Sequence, residues 1–540
     1  MPSEKPKRIL VAYSMMSTFT PTTLEYLLAI KKFTDYQVHY IHVTHDARMG
    51  VDFNDYDVVI HNYCARLCFE GYISAHYERA MAHFRGLKIV CVQDDYDRTA
   101  VLHRAIRRLG FHVLLTCIQR EFWPLVYPQS ELPGLSIVQG LTGYMPERLI
   151  EARPTIAPLS ERKTWVAYRG RDIGAKYGRL GFEKYEIGRR MVEICEGRGV
   201  PHDIAMDNDS RIYGDAWFDF LGSSRTMLGA ESGSNAFDFD GDLEARIDEF
   251  KIREGRAPTY HEFKPILDPI EAPFNIGQIS PRVFETAVMR TPMINFRGSY
   301  SDVIKPDVHY IALEKDFSNI DVVLSKLDNI DILEGFTTRA YETLVQSGTY
   351  GYRSLARLVT ETIETQYPLR VNQAWIQYRR ATGTPWHAPA QMTPPETEED
   401  ARQIALLERP TDFPLNSDTL NDRQDLLSSL LKDISERRSL ARTADIASEP
   451  ITTDNAPEPI VTDIVPEPIE SLPSTYFATR FDRLDHATAL LNGTFFWRPL
   501  RLVWRATPSS LRRFILRKFG RTDFAPSSRR NRPRGRFTHD

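Results

Sequence analysis

The segment NIGQISPRVFETAVMRTPMINF, residues 275–296, combines a helix start with charged side chains that suit an anionic ligand. Ser280 is predicted as the N-cap and Pro281 as the first helical residue, with Arg282 and Glu285 in the turns that follow. The free N–H groups and positive dipole end of such a helix would hold a diphosphate, and Glu285 would hydrogen-bond a ribose diol. A simply capped helix with a solvated Glu and Arg fits the same spacing equally well.

A second candidate is the Gly-rich loop in AYRGRDIGAKYGRLGFEKYEIGRR, residues 167–190, which follows a predicted strand and leads into a helix. It carries Arg169, Arg171, Lys176 and Arg179, and such a loop can surround a phosphate with positive groups. The loop matches neither a Walker A motif nor a GxGxxG fingerprint. A basic surface loop is therefore the alternative.

A third candidate is LGAESGSNAFDFDGD, residues 228–242, which also follows a predicted strand. Glu231, Ser232, Gly233 and Ser234 offer small or polar groups to a nucleobase or a sugar. A simple turn would have much the same sequence, so this segment is a weaker indication than the helix start at Ser280.

Two acidic clusters raise the question of a metal ion. Asp94, Asp95 and Asp97 follow the apolar run KIVCVQ and resemble a DxD metal site, but acidic residues at this place are also common helix caps, and we favour capping. The acidic run from residue 238 to 249 nearly matches a calcium loop, yet Leu243 stands where that loop needs glycine. The sequence therefore predicts no metal site.

A general base could come from the N-terminal part of the chain, where several histidines lie in or near predicted strands. We single out His45 and His61, and with them Asp95, as the candidate catalytic residues. Most of the histidines are expected to be structural. Cys64 and Cys68 have helical spacing, but no second Cys or His pair follows to complete a zinc site, so we expect buried thiols.

The elements that must position these residues alternate between short β-rich runs and helical stretches. ILVAYS, QVHYIHV, YDVVIHN and LKIVCVQD alternate with helices, and the rhythm restarts at TWVAYRG after the Pro-containing stretch ARPTIAPLSERK. This pattern predicts an α/β protein with a first doubly wound lobe over residues 1–155 and a second over 156–380. A ligand would bind in the cleft faced by the carboxyl ends of both sheets.

The composition is that of an ordinary globular protein, with 42% hydrophobic and 26% charged residues, which argues against a disordered or fibrous class. Five cysteines among 540 residues do not make a disulfide framework, and they indicate a reducing compartment. The N-terminal segment lacks the apolar region of a signal peptide, and no apolar run is long enough to span a bilayer. We expect a cytoplasmic protein, at most peripheral at the inner face of the membrane.

The C-terminal part has a different character. Residues 381–478 are acidic and Pro-rich and are predicted to be a mostly disordered linker. Residues 479–540 are predicted to form a basic amphipathic tail, because the last fifty residues hold thirteen Arg or Lys against two Asp, interleaved with aromatic residues. An anionic membrane surface is the favoured partner of this tail, while RNA or a protein is the alternative, and nucleic acid is the less favoured one.

The segments YRGR…YGRLGFEKYEIG, FLGSSRTMLGAESGSNAFDFDG and QISPRVFETAVMRTPMINFRGSYSDVIKPDVHYIALEKDFSN resemble the bacterial CgeB/YkvP-like glycosyltransferases, a GT-B group. The resemblance covers most of residues 160–330. It implies two Rossmann-like lobes and a ribose contact through Glu285, which is followed by Pro292 as in the family's E-A-x-x-x-G-x-P pattern. Thr286 and Arg290 depart from that pattern, and Gly277 stands where the family has a second Glu.

The resemblance also implies metal-independent glycosyl transfer, in which positive groups offset the charge of the departing diphosphate. Arg169, Arg171 and Arg282 would act there together with the start of the Ser280 helix. The sequence thus predicts a hexosyltransferase-like enzyme that moves a sugar from a nucleotide-sugar donor to a glycan, lipid or protein acceptor, as in polysaccharide biosynthesis. No cofactor is expected, because the nucleotide sugar is itself a substrate.

Two alternatives remain open at this point. One is a non-catalytic nucleotide- or glycan-binding scaffold with a degenerate GT-B fold, because fold does not fix function. The other is a metal-dependent transferase that uses Asp95 and Asp97.

Overall fold

The computed structural model describes residues 8–18, 20–44, 47–69, 72–152, 156–207, 209–382 and 410–414. Within these ranges the chain forms two sheets, one of six and one of five strands, with helices between successive strands. Apart from residues 381, 382 and 410–414, the predicted linker and the predicted basic tail lie outside the described residues.

The first sheet is built from the apolar runs of the N-terminal part. Its strands are β1 (Arg8–Tyr13), β2 (Gln37–His42), β3 (Val58–His61), β4 (Leu87–Cys91), β5 (Val113–Thr116) and β6 (Ser136–Gln139). They pair in the order β2-β1-β3-β4-β5-β6, and every neighbouring pair is parallel. All five residues of β4 are buried, as expected for a strand that is covered on both faces.

The second sheet is also entirely parallel. Its strands are β7 (Thr164–Arg169), β8 (His202–Ala205), β9 (Ser224–Gly229), β10 (Met293–Phe296) and β11 (Ile311–Leu313), in the order β11-β10-β9-β7-β8. The chain leaves β7 towards β8 on one side and then returns to add β9 on the other. This reversal of strand order makes the carboxyl ends of β7 and β9 the place where a ligand is expected.

Fourteen helices connect the strands or follow them within the described residues. They are α1 (Pro21–Phe33), α2 (Ala75–His83), α3 (Thr99–Leu109), α4 (Trp123–Val126), α5 (Glu147–Ala152), α6 (Gly178–Arg198), α7 (Asp215–Ser223), α8 (Asp242–Glu254), α9 (Tyr260–Glu271), α10 (Pro281–Val288), α11 (Ile320–Ser325), α12 (Ile330–Tyr341), α13 (Tyr352–Arg370) and α14 (Gln373–Thr382). No helix of the described part has both the length and the apolar character needed to cross a membrane.

The first sheet is covered on both faces, because alternate residues of its strands point in opposite directions. Leu10 and Ala12 of β1 belong to a buried cluster with α2 and α3, whereas Ile9 and Val11 belong to one with α1 and α13. The predicted fold class, two doubly wound α/β lobes, is confirmed. The predicted second lobe runs to residue 380, but α13 within that range packs against the first lobe.

The two lobes also share a core through the segment between β9 and α10. Phe237, Phe274 and Ile276 from this segment belong to the buried cluster of the first lobe. The amide of Asp238 donates to the carbonyl of Tyr96 at 3.0 Å, which joins the backbones of the two lobes directly. The segment between β9 and α10, which contains the acidic run from residue 238, therefore joins the two lobes.

Candidate functional site

A cavity of about 380 Å³ lies at the carboxyl ends of β7, β9 and β10. Its far wall comes from the other lobe, where residues 20–22 at the start of α1 line it. Five cationic side chains line the cavity against two acidic ones, so its net formal charge is positive. The five are Arg169, Arg171, Lys184, Arg211 and Arg282, and the two acidic residues are Asp207 and Glu285.

The N-terminal residues of α10 and α1 line this cavity. α10 begins at Pro281 with Ser280 as its N-cap, as predicted, and the Ser280 hydroxyl accepts a hydrogen bond from the Arg282 amide at 3.4 Å. α1 begins in the same way, with Thr20 as its N-cap and Pro21 as its first residue, but without a side-chain cap. The partial positive charges of two helix ends therefore add to those of the side chains.

Arg169 and Arg282 are held at the end of β7 by contacts with the protein. Arg169 Nη1 donates to the carbonyl of Asp203 at 3.0 Å and lies 2.8 Å from its carboxylate, while its buried Nε has no partner among the described residues. Arg282 Nη2 donates to the carbonyl of Arg169 at 2.8 Å, and its guanidinium lies over the rings of Tyr168 and Trp217. Both groups are thus fixed before any ligand arrives.

Arg171, by contrast, is exposed at the mouth of the cavity. The two other cations of the predicted phosphate loop turn away from the cavity. Lys176 forms ion pairs with Asp97 at 3.0 Å and Glu244 at 3.6 Å, and Arg179 lies 3.8 Å from Glu183.

Lys184 of α6 lines the cavity and was not predicted from the sequence. Its ammonium group donates to the hydroxyl of Ser232 at 3.1 Å. Burial, and then the neighbouring Arg282, lower the pKa of Lys184 to about 8. A lysine whose charge is destabilised in this way gains more from an anionic ligand than a solvated lysine does.

Glu285 lies on the same wall as Arg282, one turn further along α10. Its Oε2 accepts a hydrogen bond from the indole Nε1 of Trp217 at 2.9 Å. Burial raises the pKa of Glu285, although Trp217, Arg282 and Arg148 act in the opposite direction. Trp217 and the largely exposed Tyr213 also line the cavity and offer aromatic faces beside this carboxylate.

The predicted group after β9 lies behind the cavity. The Glu231 carboxylate accepts hydrogen bonds from the amides of Ser299, at 2.6 Å, and Tyr300, at 3.2 Å. Ser232 positions the Lys184 ammonium, and Gly233 adopts a φ of +84°, a conformation that favours glycine. A Cβ at Gly277 would lie 1.7 Å from Glu231 Oε1, so the missing side chain makes room for this buried carboxylate.

Of the three candidate catalytic residues, the two that the structure describes, His61 and Asp95, do not line the cavity. His45 lies outside the described residues. His61 is buried, with Nδ1 2.8 Å from the Tyr77 hydroxyl and Nε2 donating to the Ala65 carbonyl, and burial lowers its pKa to about 4. These are the contacts of a structural histidine, and its catalytic role stays a prediction.

Asp95 is fully buried in the first lobe and accepts hydrogen bonds from the hydroxyls of Thr116 and Tyr127. Burial raises the pKa of its carboxyl to about 6. The carboxylate does not cap α3, whose N-cap is Arg98 without a side-chain bond, so the capping interpretation of this cluster is wrong.

The remaining acidic and thiol groups have structural partners. Asp97 lies in an ion pair with Arg66 as well as with Lys176. Asp238 accepts hydrogen bonds from the first amides of α8, at 3.1 and 3.0 Å, and so caps that helix. The five cysteines are buried free thiols, and the described residues contain no group of three or more His, Cys, Asp or Glu placed to hold a metal ion.

No protein-family model and no curated protein matches the sequence. Among solved structures, the chain is similar to Anabaena Alr3699/HepE in complex with UDP, with 9% identity and a TM-score of 0.35 over 66% of this chain and 100% of that one. It is also similar to sucrose-phosphate synthase from Thermosynechococcus elongatus, with 8% identity and a TM-score of 0.40 over 67% and 100% of the chains.

A third similar structure is an alpha-glucosyltransferase in complex with UDP-glucose and DNA containing an abasic site, with 11% identity and a TM-score of 0.39 over 67% of this chain and 100% of that one. Identities and TM-scores this low do not place the chain in the family of any of these proteins. The fold assignment rests on the two parallel sheets themselves.

Proposed function

We propose that the chain is a glycosyltransferase that moves a sugar from a nucleotide-sugar donor to a glycan, lipid or protein acceptor. A hexose is the sugar that we favour. The observation that carries the proposal is the cationic cavity between the lobes, which is lined by the N-terminal residues of two helices. Its volume of about 380 Å³ falls within the range of small-ligand sites. Its charge suits the diphosphate of such a donor.

The diphosphate would lie between the start of α10 and the cations around it. Arg169, Arg282 and Lys184 would hydrogen-bond its oxygens and stabilise the negative charge that grows as the sugar–phosphate bond breaks. Because the arginines are already fixed by protein contacts, they need little reorganisation as the reaction proceeds. These residues would perform the role that a divalent cation has in other transferases, so we propose that transfer is metal-independent.

The nucleoside would lie beside Glu285 and Trp217. The carboxylate of Glu285 retains oxygen lone pairs beyond its bond to Trp217 and would accept hydrogen bonds from a ribose diol. The exposed ring of Tyr213 at the same cavity offers a face for stacking with a base. The sugar would then be directed towards the first lobe, where residues 20–22 would help to orient an acceptor hydroxyl by proximity.

The donor can be identified by thermal shift of the full chain with UDP, GDP, ADP, TDP and CMP and their sugars, with and without EDTA. One nucleotide should raise the melting temperature, EDTA should not remove the shift, and Glu285→Ala should abolish it. Glu193→Ala is the matched control, because this glutamate is exposed on α6, pairs with Arg189 and does not line the cavity. No shift with any nucleotide would reject the proposal.

A non-catalytic nucleotide-binding protein is the second candidate. It is favoured by the contacts of His61 and Asp95, which are buried and bonded to protein groups away from the cavity. Incubation of the full chain with the nucleotide sugar found by thermal shift distinguishes the two. Release of the nucleoside diphosphate, accelerated by an acceptor, supports the transferase, and binding without turnover supports the second candidate.

The membrane partner is a separate proposal. We propose that the basic segment 479–540 binds an anionic membrane surface from the cytoplasmic side and brings the enzyme to its acceptor. Co-sedimentation of the full chain with phosphatidylserine vesicles, compared with neutral phosphatidylcholine vesicles, tests this. Equal binding to both kinds of vesicle, or no binding to either, would reject the proposal.

A further inference from the structure

A short segment from the predicted linker lies on the free edge of the first sheet. Residues 410–414, with the sequence PTDFP, run antiparallel to β2, which is the outermost strand of that sheet. Tyr40 and Thr411 exchange both of their main-chain hydrogen bonds, each at 2.8 Å. This single residue pair has the hydrogen bonding of an antiparallel neighbour, in a protein whose described sheets are otherwise parallel.

The acidic residue of the segment meets a lysine and a histidine of the first lobe. Lys31, in the last turn of α1, donates to the carbonyl of Asp412 at 2.6 Å and to its carboxylate at 3.3 Å. His39 Nε2 lies 3.6 Å from the same carboxylate, while its Nδ1 is held 2.8 Å from the Tyr56 hydroxyl. Main-chain pairing thus positions the segment, and the Lys31 ammonium favours a carboxylate at position 412.

We propose that the outer edge of β2, with Lys31 and His39, is a peptide-docking site whose occupant is the chain's own segment 410–414. Docking covers an open sheet edge, which would otherwise offer unpaired backbone groups to other chains. The site lies at the opposite end of α1 from the nucleotide cavity, and it does not depend on the proposed transferase function.

Hydrogen–deuterium exchange of the full chain tests the docking, because the Tyr40 amide donates to Thr411. Lys31→Ala and Asp412→Ala should each speed exchange at Tyr40 by about two- to fivefold, the factor that an exposed charged contact contributes. Lys32→Ala is the matched control, because Lys32 pairs with Glu151 instead. The exchanged pair Lys31→Asp with Asp412→Lys should restore protection.

The peptide ERPTDFPLN, residues 408–416, identifies the occupant. Added to the full-length Asp412→Lys variant, it should restore protection at Tyr40, and the same peptide with Lys in place of Asp should not. Unchanged exchange in the Lys31 and Asp412 single variants would overturn the proposal. Protection of the wild type that falls on dilution would assign the site to a second copy of the chain and would overturn the intrachain assignment. Neither of these two results would change the thermal shift that a nucleotide causes, so they test the docking separately from the proposed function.

Discussion

Replacing Lys184 by methionine should weaken nucleotide binding while stabilising the ligand-free protein. A hydrogen bond from a charged group contributes about 1.5–3 kcal/mol, so loss of the Lys184 contact with a diphosphate should raise Kd about ten- to hundredfold. Burial lowers the pKa of this lysine from 10.5 to about 8. Removing the buried charge should therefore stabilise the free protein by at most about 3 kcal/mol.

The same residue predicts a pH dependence of binding. Below pH 8 Lys184 is protonated in both the free and the bound protein, so the Kd should change little on its account. A bound diphosphate raises the pKa of Lys184, so above pH 8 binding must take up a proton, and Kd should rise by up to about tenfold per pH unit. Isothermal titration calorimetry between pH 7 and 9, in buffers of different ionisation enthalpy, measures both the affinity and the proton uptake.

Lys184→Arg is the matched control, because arginine keeps the charge and does not titrate in this range. It should bind with a flat pH profile and an affinity closer to that of the wild type than Lys184→Met. The reasoning would be refuted if Lys184→Met bound the nucleotide as tightly as the wild type. An identical pH slope in the wild type and both variants would refute it as well.

Two further predictions concern the stability of the lobes. Gly277→Ala should destabilise the fold by about 1–3 kcal/mol in urea unfolding, because its Cβ would lie 1.7 Å from Glu231 Oε1. Gly197→Ala is the control and should be neutral or stabilising, because its Cβ would meet nothing within 4 Å. Equal effects of the two substitutions would contradict this account. Asp95→Asn should stabilise the protein above pH 7. Burial raises the pKa of Asp95 from 3.8 to about 6, so ionisation of this carboxyl costs up to about 3 kcal/mol of stability as the pH rises from 3.8 to 6. Urea midpoints at pH 5 and pH 8 measure it, and a variant with the wild-type pH dependence would exclude this carboxyl as the cause.

Those parts of the fold and the site that depend on local chemistry could be predicted from the sequence. The apolar runs correctly predicted the strands of both sheets, because a strand that is buried on both faces must be apolar throughout. The start of α10 followed from Ser280 and Pro281, because capping is decided by neighbouring residues. The Thr20–Pro21 pair at the start of α1 carries the same signal, and it could have indicated the second helix end at the cavity.

Those parts that depend on the rotation of a helix or on contacts distant in sequence could not be predicted. Lys176 and Lys184 lie eight residues apart around the start of α6, yet only Lys184 reaches the cavity, while Lys176 pairs with Asp97 of the other lobe. Charge and spacing do not distinguish the two. The packing of α13 against the first lobe was missed for a similar reason, because its apolar stripe would fit either core.

The contacts between the lobes bear on how the cavity works. The buried pair of Asp97 with Lys176 and the backbone bond from Asp238 to Tyr96 join the lobes on one side. On the side of α1, Glu25 of that helix forms an ion pair with Arg148 of α5, a helix whose Leu149 packs in the core of the second lobe. Separating a buried ion pair such as Asp97 with Lys176 is strongly destabilising, because it leaves a buried charge without its partner.

Opening of the lobes would separate charges at both places, so we expect the cavity to be formed before the ligand binds. A nucleotide would then need little binding energy to close the lobes, and its affinity would reflect mainly its direct contacts with the cations. This makes the substitutions at Lys184 and Glu285 informative, since their effects on Kd report the contacts themselves and not a change in lobe closure.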